Sequence, residues 1–176
     1  MSFERCCGRP NVTDFWNEVS IAVLGDDNVL SISSDCVPKF NQKTIGESMV
    51  EFGMTYTNEK KAGEVGETRT IEDVDFLKRS FRLVREGPLA GTFVAPLSIG
   101  TIVEMPYWCK NKNLLTEITQ DTFETALMEL SAHPKEVWDV WSPLMCSSYR
   151  RAGFRTLLPE EQEQYFYQYC NGTVRY

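Results

Sequence analysis

Val19-Ser20-Ile21-Ala22-Val23-Leu24-Gly25-Asp26-Asp27-Asn28-Val29-Leu30-Ser31-Ile32 is the stretch on which the reading of this chain turns. Two short apolar runs, Val19 to Leu24 and Val29 to Ile32, are separated by Gly25-Asp26-Asp27-Asn28, residues of the types that turns prefer. The pattern predicts a β-hairpin with two adjacent carboxylates at its tip. Successive strand side chains diverge, but a tight turn lets both carboxylates approach one solvent-facing point without the cost of a buried charge. Mg²⁺ takes oxygen ligands and usually keeps waters, so one or two such carboxylates plus substrate phosphates can hold it. Two ions about 4 Å apart could activate an attacking hydroxyl and stabilise the leaving oxygen in phosphoryl transfer. The competing reading is a plain turn, because Gly, Asp and Asn form turns for conformational reasons alone.

Downstream of the hairpin, Ile45, Met49 and Phe52 fall at i, i+4 and i+7, with Asp35 and Pro38 near the start and Gly53 after the end. That spacing predicts an amphipathic helix. Met54 to Thr57 reads as a strand, followed by a polar loop from Asn58 to Arg69. A second hairpin is expected from Phe76 to Val84 and Thr92 to Leu97, turning at Glu86-Gly87-Pro88. Beyond residue 97 the periodicity becomes helical. Phe123, Leu127 and Leu130 share one face, and Val137, Trp141, Leu144 and Met145 share another, with Pro143 expected to kink or divide that helix. Pro159 with Glu160 and Glu161 resembles a helix start. The expected class is α+β: antiparallel hairpins plus a packed helix over residues 1–97, then an all-helical region over 98–176.

The 176 residues are 42% hydrophobic and 24% charged, an ordinary globular balance. No apolar run approaches the roughly 20 residues of a membrane span, and the first residues lack a signal peptide's apolar stretch. A soluble, intracellular protein is the expectation. None of the six cysteines forms a Cys-x-x-Cys pair and His133 is the single histidine, which disfavours structural zinc. In that setting the sequons Asn11-Val12-Thr13 and Asn171-Gly172-Thr173 are chance matches.

The formal net charge of −7 argues against a general nucleic-acid binder. Locally, however, Lys78, Arg79, Arg82 and Arg85 form a stretch without acids, as do Arg150, Arg151 and Arg155 between Val140 and Pro159. Trp108, Trp138 and Trp141 could stack on bases, but core packing is the stronger expectation for them. His133, before Pro134, reads as a helix-boundary residue.

The order of the segments resembles picornavirus-like RNA-dependent RNA polymerases, most closely those of the dicistrovirus type. Leu24-Gly25-Asp26-Asp27-Asn28 looks like polymerase motif C. Phe52-Gly53-Met54-Thr55-Tyr56-Thr57, with Lys61 four residues on, looks like motif D. Asp75-Phe76-Leu77-Lys78-Arg79-Ser80-Phe81-Arg82 looks like motif E, the primer grip, and Ala95-Pro96-Leu97 through Met105-Pro106-Tyr107-Trp108 is similar to the entry into the thumb. The resemblance covers essentially the whole chain and implies part of a polymerase palm followed by a helical thumb.

It also implies roles. Asp26 would be the principal ligand of Mg²⁺ (or Mn²⁺) and Asp27 its weaker or indirect partner. Lys61, or Lys60 beside it, would donate a proton to the departing pyrophosphate. Leu77, Lys78, Arg79 and Arg82 would hold the primer end, the cations meeting phosphates; otherwise Phe81 and Leu83 simply face a core and the basic residues face water. The partners would be an RNA template-primer duplex and nucleoside triphosphates, in a replication complex in the host cytoplasm.

The departures matter as well. Leu24 stands where many relatives have tyrosine. The family carries, upstream of motif C, a first metal aspartate on another strand, a Ser-Gly loop leading into a helix, and fingers. Only 24 residues precede Gly25, and none has that pattern. Phe3 to Cys7 is expected to be the end of the motif B helix. The expectation is therefore a C-terminal piece lacking the N-terminal palm and fingers portion. The alternative is a non-catalytic relic or module of such a polymerase that binds RNA or protein.

Overall fold

Gly25, at φ +64°, reverses the chain between two six-residue strands, β1 (Val19–Leu24) and β2 (Asp27–Ile32). Asp26 keeps a negative φ, so the loop has the glycine-first pattern of a type II′ turn, whose twist matches that of the flanking strands. The antiparallel register runs from Val19 opposite Ile32 to Leu24 opposite Asp27. The turn is therefore shorter than its composition suggests, because Asp27 and Asn28 already belong to β2.

The structure, a computed structural model, describes residues 2–8, 11–58, 66–87, 89–108, 115–154 and 162–171. It is an α+β fold that divides into two compact units, Met1–Leu77 and Lys78–Tyr176. Among the described residues no helix is long and apolar enough to cross a membrane.

In the first unit, helices α1 (Ser2–Cys7) and α2 (Val12–Glu18) precede the hairpin, and α3 (Gln42–Val50) follows it. Asn11 caps α2 by accepting a hydrogen bond from the Thr13 backbone N–H at 3.0 Å. The base of the hairpin enters a core of Phe3, Val19, Cys36, Phe40 and Ile45. Phe3 meets Phe15 and Phe40 edge-to-face at centroid distances of 5.3 and 5.2 Å, the arrangement that ring quadrupoles favour.

Helix α3 starts later than Asp35 and Pro38 suggest. Asn41 and Thr44 form a reciprocal capping box, each side chain accepting the other's backbone N–H at 3.0 Å. The predicted stop holds: Gly53 adopts φ +72° and the Met54 N–H returns to the Met49 carbonyl at 3.1 Å. Phe52 lies past the helix and is exposed; Ile45 and Ser48 fill the buried face, with Met49 beside them. Among the described residues Met54 to Thr57 pairs with no strand, contrary to the sequence expectation, and Tyr56 instead packs on the core.

In the second unit the hairpin of Lys78–Val84 with Thr92–Ser98 keeps one register throughout. Arg82 lies opposite Val94 and Leu83 opposite Phe93, in strands β5 (Arg82–Leu83) and β6 (Phe93–Val94), with Arg79 bridged to Leu97. The strand expected from Phe76 is broken at its start. Leu77, the last residue of the first unit, and Lys78, the first of the second, adopt φ of 54° and 63°; β3 (Asp75–Phe76) precedes them and β4 (Arg79–Ser80) follows. Neither residue is a glycine, so both conformations are strained unless neighbouring structure imposes them.

Helices α4 (Ile99–Glu104), α5 (Leu115–Ser131), α6 (Lys135–Arg151) and α7 (Gln162–Cys170) complete this unit, and α5 contacts the other three. Phe123, Leu127 and Leu130 are fully buried on α5, as their spacing predicts. On α6 the buried residues are Trp138, Ser142, Met145 and Cys146, while Leu144 is exposed, so the apolar face is rotated from the expected one. Pro143 sits inside α6 without dividing it. The predicted helix start at residues 159–161 lies outside the described residues. The compositional change at residue 97 falls inside the second unit, because the β-hairpin ending at Ser98 packs with these helices.

Phe123 stacks on Tyr149 at a centroid distance of 3.7 Å in the middle of this core. Phe123→Ala is expected to cost about 3–5 kcal/mol in chemical denaturation. Leu144→Ala, at an exposed position of the neighbouring helix, should stay within about 0.5 kcal/mol.

Candidate functional site

Exposure along β1 rises steeply away from the core. Val19 is 2% exposed, Val23 58% and Leu24 60%. The base of the hairpin is anchored and its tip projects, which leaves Asp26 and Asp27 in solvent. Carboxylates there keep their hydration and have acceptor sites to spare.

The tip is held from one side. Tyr56 donates its phenolic hydrogen to Asn28 Oδ1 at 2.8 Å, and Asn28 Nδ2 reaches the Asp26 carbonyl at 3.4 Å. Burial raises the Tyr56 pKa above its usual value, with the Asn28 bond opposing it, so the phenol remains a hydrogen donor at neutral pH. A segment 28 residues downstream thereby braces the carboxylate-bearing turn. Lys60 and Lys61 lie outside the described residues.

The basic stretch is divided by its environment. Leu77 and Lys78 are exposed at the turn. Arg79 is turned inward: its guanidinium donates to both oxygens of Glu129 at 2.9 and 2.8 Å and to the Ala95 carbonyl at 2.7 Å. The Glu129 side chain is 4% exposed and that of Arg79 28%, so the pair is largely removed from water. The bidentate fork is the geometry that repays such desolvation. Arg82 donates to the Ala132 carbonyl at 2.6 Å and reaches the His133 carbonyl at 3.4 Å. These carbonyls follow the end of α5, where orphan acceptors and the negative end of the helix dipole favour a cation. Gln162 caps the same end through the Ser131 and His133 carbonyls. Arg79 and Arg82 therefore do not simply face water. Arg155 lies outside the described residues.

Of the tryptophans, Trp138 is buried and Trp141 packs at the edge of the core, but Trp108 is 79% exposed, against the expectation of core packing. It follows the short 3₁₀ turn Met105–Tyr107.

Residues 4–146 match the family model described as viral RNA-dependent RNA polymerase. The chain belongs to that family. It is 43% identical, over 141 residues and 79% of its length, to the replicase polyprotein of acute bee paralysis virus (strain Rothamsted). It is 41% identical over 71% of its length to that of Drosophila C virus (strain EB), and 39% identical over 69% to that of cricket paralysis virus. The chain spans about 7% of the length of each of these polyproteins. The family match takes in Asp26, Asp27, the basic hairpin and Glu129.

Two interactions, one in each unit, were not anticipated from sequence. Glu129 had a signal: it is a lone acid in the apolar run Ala126-Leu127-Met128-Glu129-Leu130, where burial demands a cation. The Tyr56–Asn28 bond had none, since both residues are unremarkable in loops and strands.

Two measurements check this geometry. Tyr56→Phe is expected to lower stability by about 1 kcal/mol, the usual net value of a hydrogen bond. His133 provides a pH test, since its Nε2 lies 2.7 Å from the Leu97 carbonyl and must carry the hydrogen. Burial pushes its pKa below 6.5; the Leu97 carbonyl raises it, Arg82 lowers it and Glu129 raises it. Because the folded value is depressed, the unfolded chain takes up the proton first as pH falls. The stabilisation is present above the unfolded value of about 6.5 and is lost as pH falls through the folded value. The thermal midpoint of the wild-type chain should therefore drop more below pH 6.5 than that of His133→Gln.

Proposed function

We propose that this chain supplies the C-terminal palm and thumb portion of an RNA-directed RNA polymerase that transfers nucleotides from nucleoside triphosphates to an RNA 3′ end under template direction. The observation that carries the reading is the pair of adjacent, exposed carboxylates on an anchored hairpin tip in a chain of this family. Oxygen donors in water, with open acceptor sites, fit a hard divalent cation such as Mg²⁺ or Mn²⁺. Asp26 is the principal ligand in this proposal and Asp27 the weaker or indirect one. When bound, the ion supplies Lewis-acid stabilisation of charge on the reacting phosphate and the attacking hydroxyl.

The protein groups have separate tasks. Asn28 and Tyr56 restrain the tip, so the carboxylates are oriented before substrate arrives. Leu77 and Lys78, exposed at the second turn, meet the primer strand, with Arg79 and Arg82 behind them at the same hairpin. Backbone contacts of this kind position a duplex without reading its sequence. Lys61 delivers the proton to the leaving pyrophosphate.

Among the described residues no group of three metal-ligating side chains occurs, so two adjacent carboxylates are all that the tip offers. Mn²⁺ should therefore bind the purified chain weakly, in the millimolar range typical of few-ligand sites, and Asp26→Ala/Asp27→Ala should abolish that binding in a paramagnetic relaxation titration. The chain by itself should give no templated incorporation. In a polymerase containing these residues together with the upstream palm and fingers, Asp26→Ala should reduce incorporation by about a thousandfold or more, equivalent to ~4 kcal/mol of lost transition-state stabilisation. Full activity of that variant would overturn the assignment, and incorporation by the isolated chain would overturn its dependence on upstream residues.

A further inference from the structure

The hairpin of Lys78–Val84 with Thr92–Ser98 has a register that holds to its end, yet its first residue, Lys78, lies in a turn no local sequence rule would place there. Leu77 and Lys78 both have positive φ, without a glycine to make that inexpensive. Strain of this kind persists only where surrounding structure over-determines it. The residue immediately following is Arg79, whose side chain is turned inward. Its guanidinium donates to both carboxylate oxygens of Glu129 and to the Ala95 carbonyl. Glu129 is buried on α5, close in the chain to the core residues Leu127 and Leu130. A planar, bidentate ion pair fixes orientation as well as distance. Arg82, three residues on, ties the same strand to the end of α5 through the Ala132 carbonyl.

We infer that Glu129 is a positioning residue: its buried carboxylate holds Arg79 inward and so sets the strained turn that presents Lys78 to RNA phosphate. Arg79 on this account is the strut of the primer-contacting turn and not one of its phosphate ligands. The inference rests on the proposed RNA contact at Lys78 and adds the residue that makes the contact possible. It also carries a sign that simple electrostatics does not. Glu129 is an acid close to a nucleic-acid surface, so neutralising it should strengthen binding if only charge mattered. A strut that is released should weaken binding.

The test is a titration of the purified 176-residue chain with a mixed-sequence RNA duplex, read by fluorescence anisotropy at several salt concentrations. Four variants are compared: Lys78→Ala, Glu129→Gln, Arg79→Lys and Arg79→Gln. Lys78→Ala should weaken binding and flatten the salt dependence by about one phosphate contact. Glu129→Gln should weaken binding about fivefold to tenfold, against its change in net charge, as expected for losing a charge-assisted pair. Arg79→Lys keeps the charge but loses the fork, and should bind as poorly as Arg79→Gln.

Amide hydrogen exchange separates positioning from general destabilisation. The Ser80 and Ser98 amides, bonded to the Pro96 and Lys78 carbonyls at 3.2 and 3.1 Å, should exchange faster in Glu129→Gln, while the Val84 amide at the far end of the hairpin keeps its protection. Tighter or unchanged RNA binding by Glu129→Gln, wild-type binding by Arg79→Lys, or uniformly faster exchange across the unit would each overturn the inference. If Lys78→Ala changes nothing, the RNA contact itself is wrong and the inference falls with it. If Lys78→Ala weakens binding while Glu129→Gln does not, the contact stands and only the strut is refuted.

Discussion

A two-stranded hairpin does not hold itself in water, because its ladder cannot offset the entropy of ordering two strands. That constraint applies to the hairpin of β1 with β2 and to that of Lys78–Val84 with Thr92–Ser98, and each meets it in a different way. The first uses apolar burial at one end only. Val19, with Leu30 and Ile32 beside it, enters a cluster where Phe3, Phe15 and Phe40 meet edge-to-face, and the other end is left in solvent. Anchoring at the base and freedom at the tip are what leave two neighbouring aspartates hydrated and accessible.

The second hairpin is held by charge. Its strands are short and half-buried, and Val84 and Val94 contribute a modest apolar anchor. The remaining fixation comes from Arg79 on Glu129 and Arg82 on the carbonyls that end α5. A buried ion pair gains little net stability, since desolvation nearly cancels attraction, but removing one partner leaves a charge stranded in a low-dielectric core. The arrangement is therefore better understood as specifying one geometry than as adding stability. It also explains why a chain with net charge −7 can carry a basic hairpin without presenting every cation to solvent.

The two anchoring schemes suit the two tasks proposed for them. A metal-binding tip needs hydrated carboxylates with unsatisfied acceptor sites, and burial farther down the strand supplies rigidity without consuming them. A phosphate-contacting turn needs a cation at a fixed place, and a neighbouring arginine committed to the core supplies that without occupying the contact.

How much of this was legible in the sequence depends on the range of the forces involved. The apolar runs on either side of Gly25-Asp26-Asp27-Asn28 determined the first hairpin and its exposed carboxylates, because strand and turn preferences are local properties. Gly53 determined the end of α3, and the spacing of Phe123, Leu127 and Leu130 determined the inner face of α5, for the same reason. The order of the motifs was enough to indicate the family. Only the tertiary structure decided which of four neighbouring cations faces water, since Arg79 finds its carboxylate 50 residues away. The same holds for Trp108 outside and Trp138 inside, for Leu144 turned from the core, and for the left-handed turn at Leu77 and Lys78. These outcomes depend on what packs against each residue, and a partner distant along the chain leaves no periodic mark on the sequence around it.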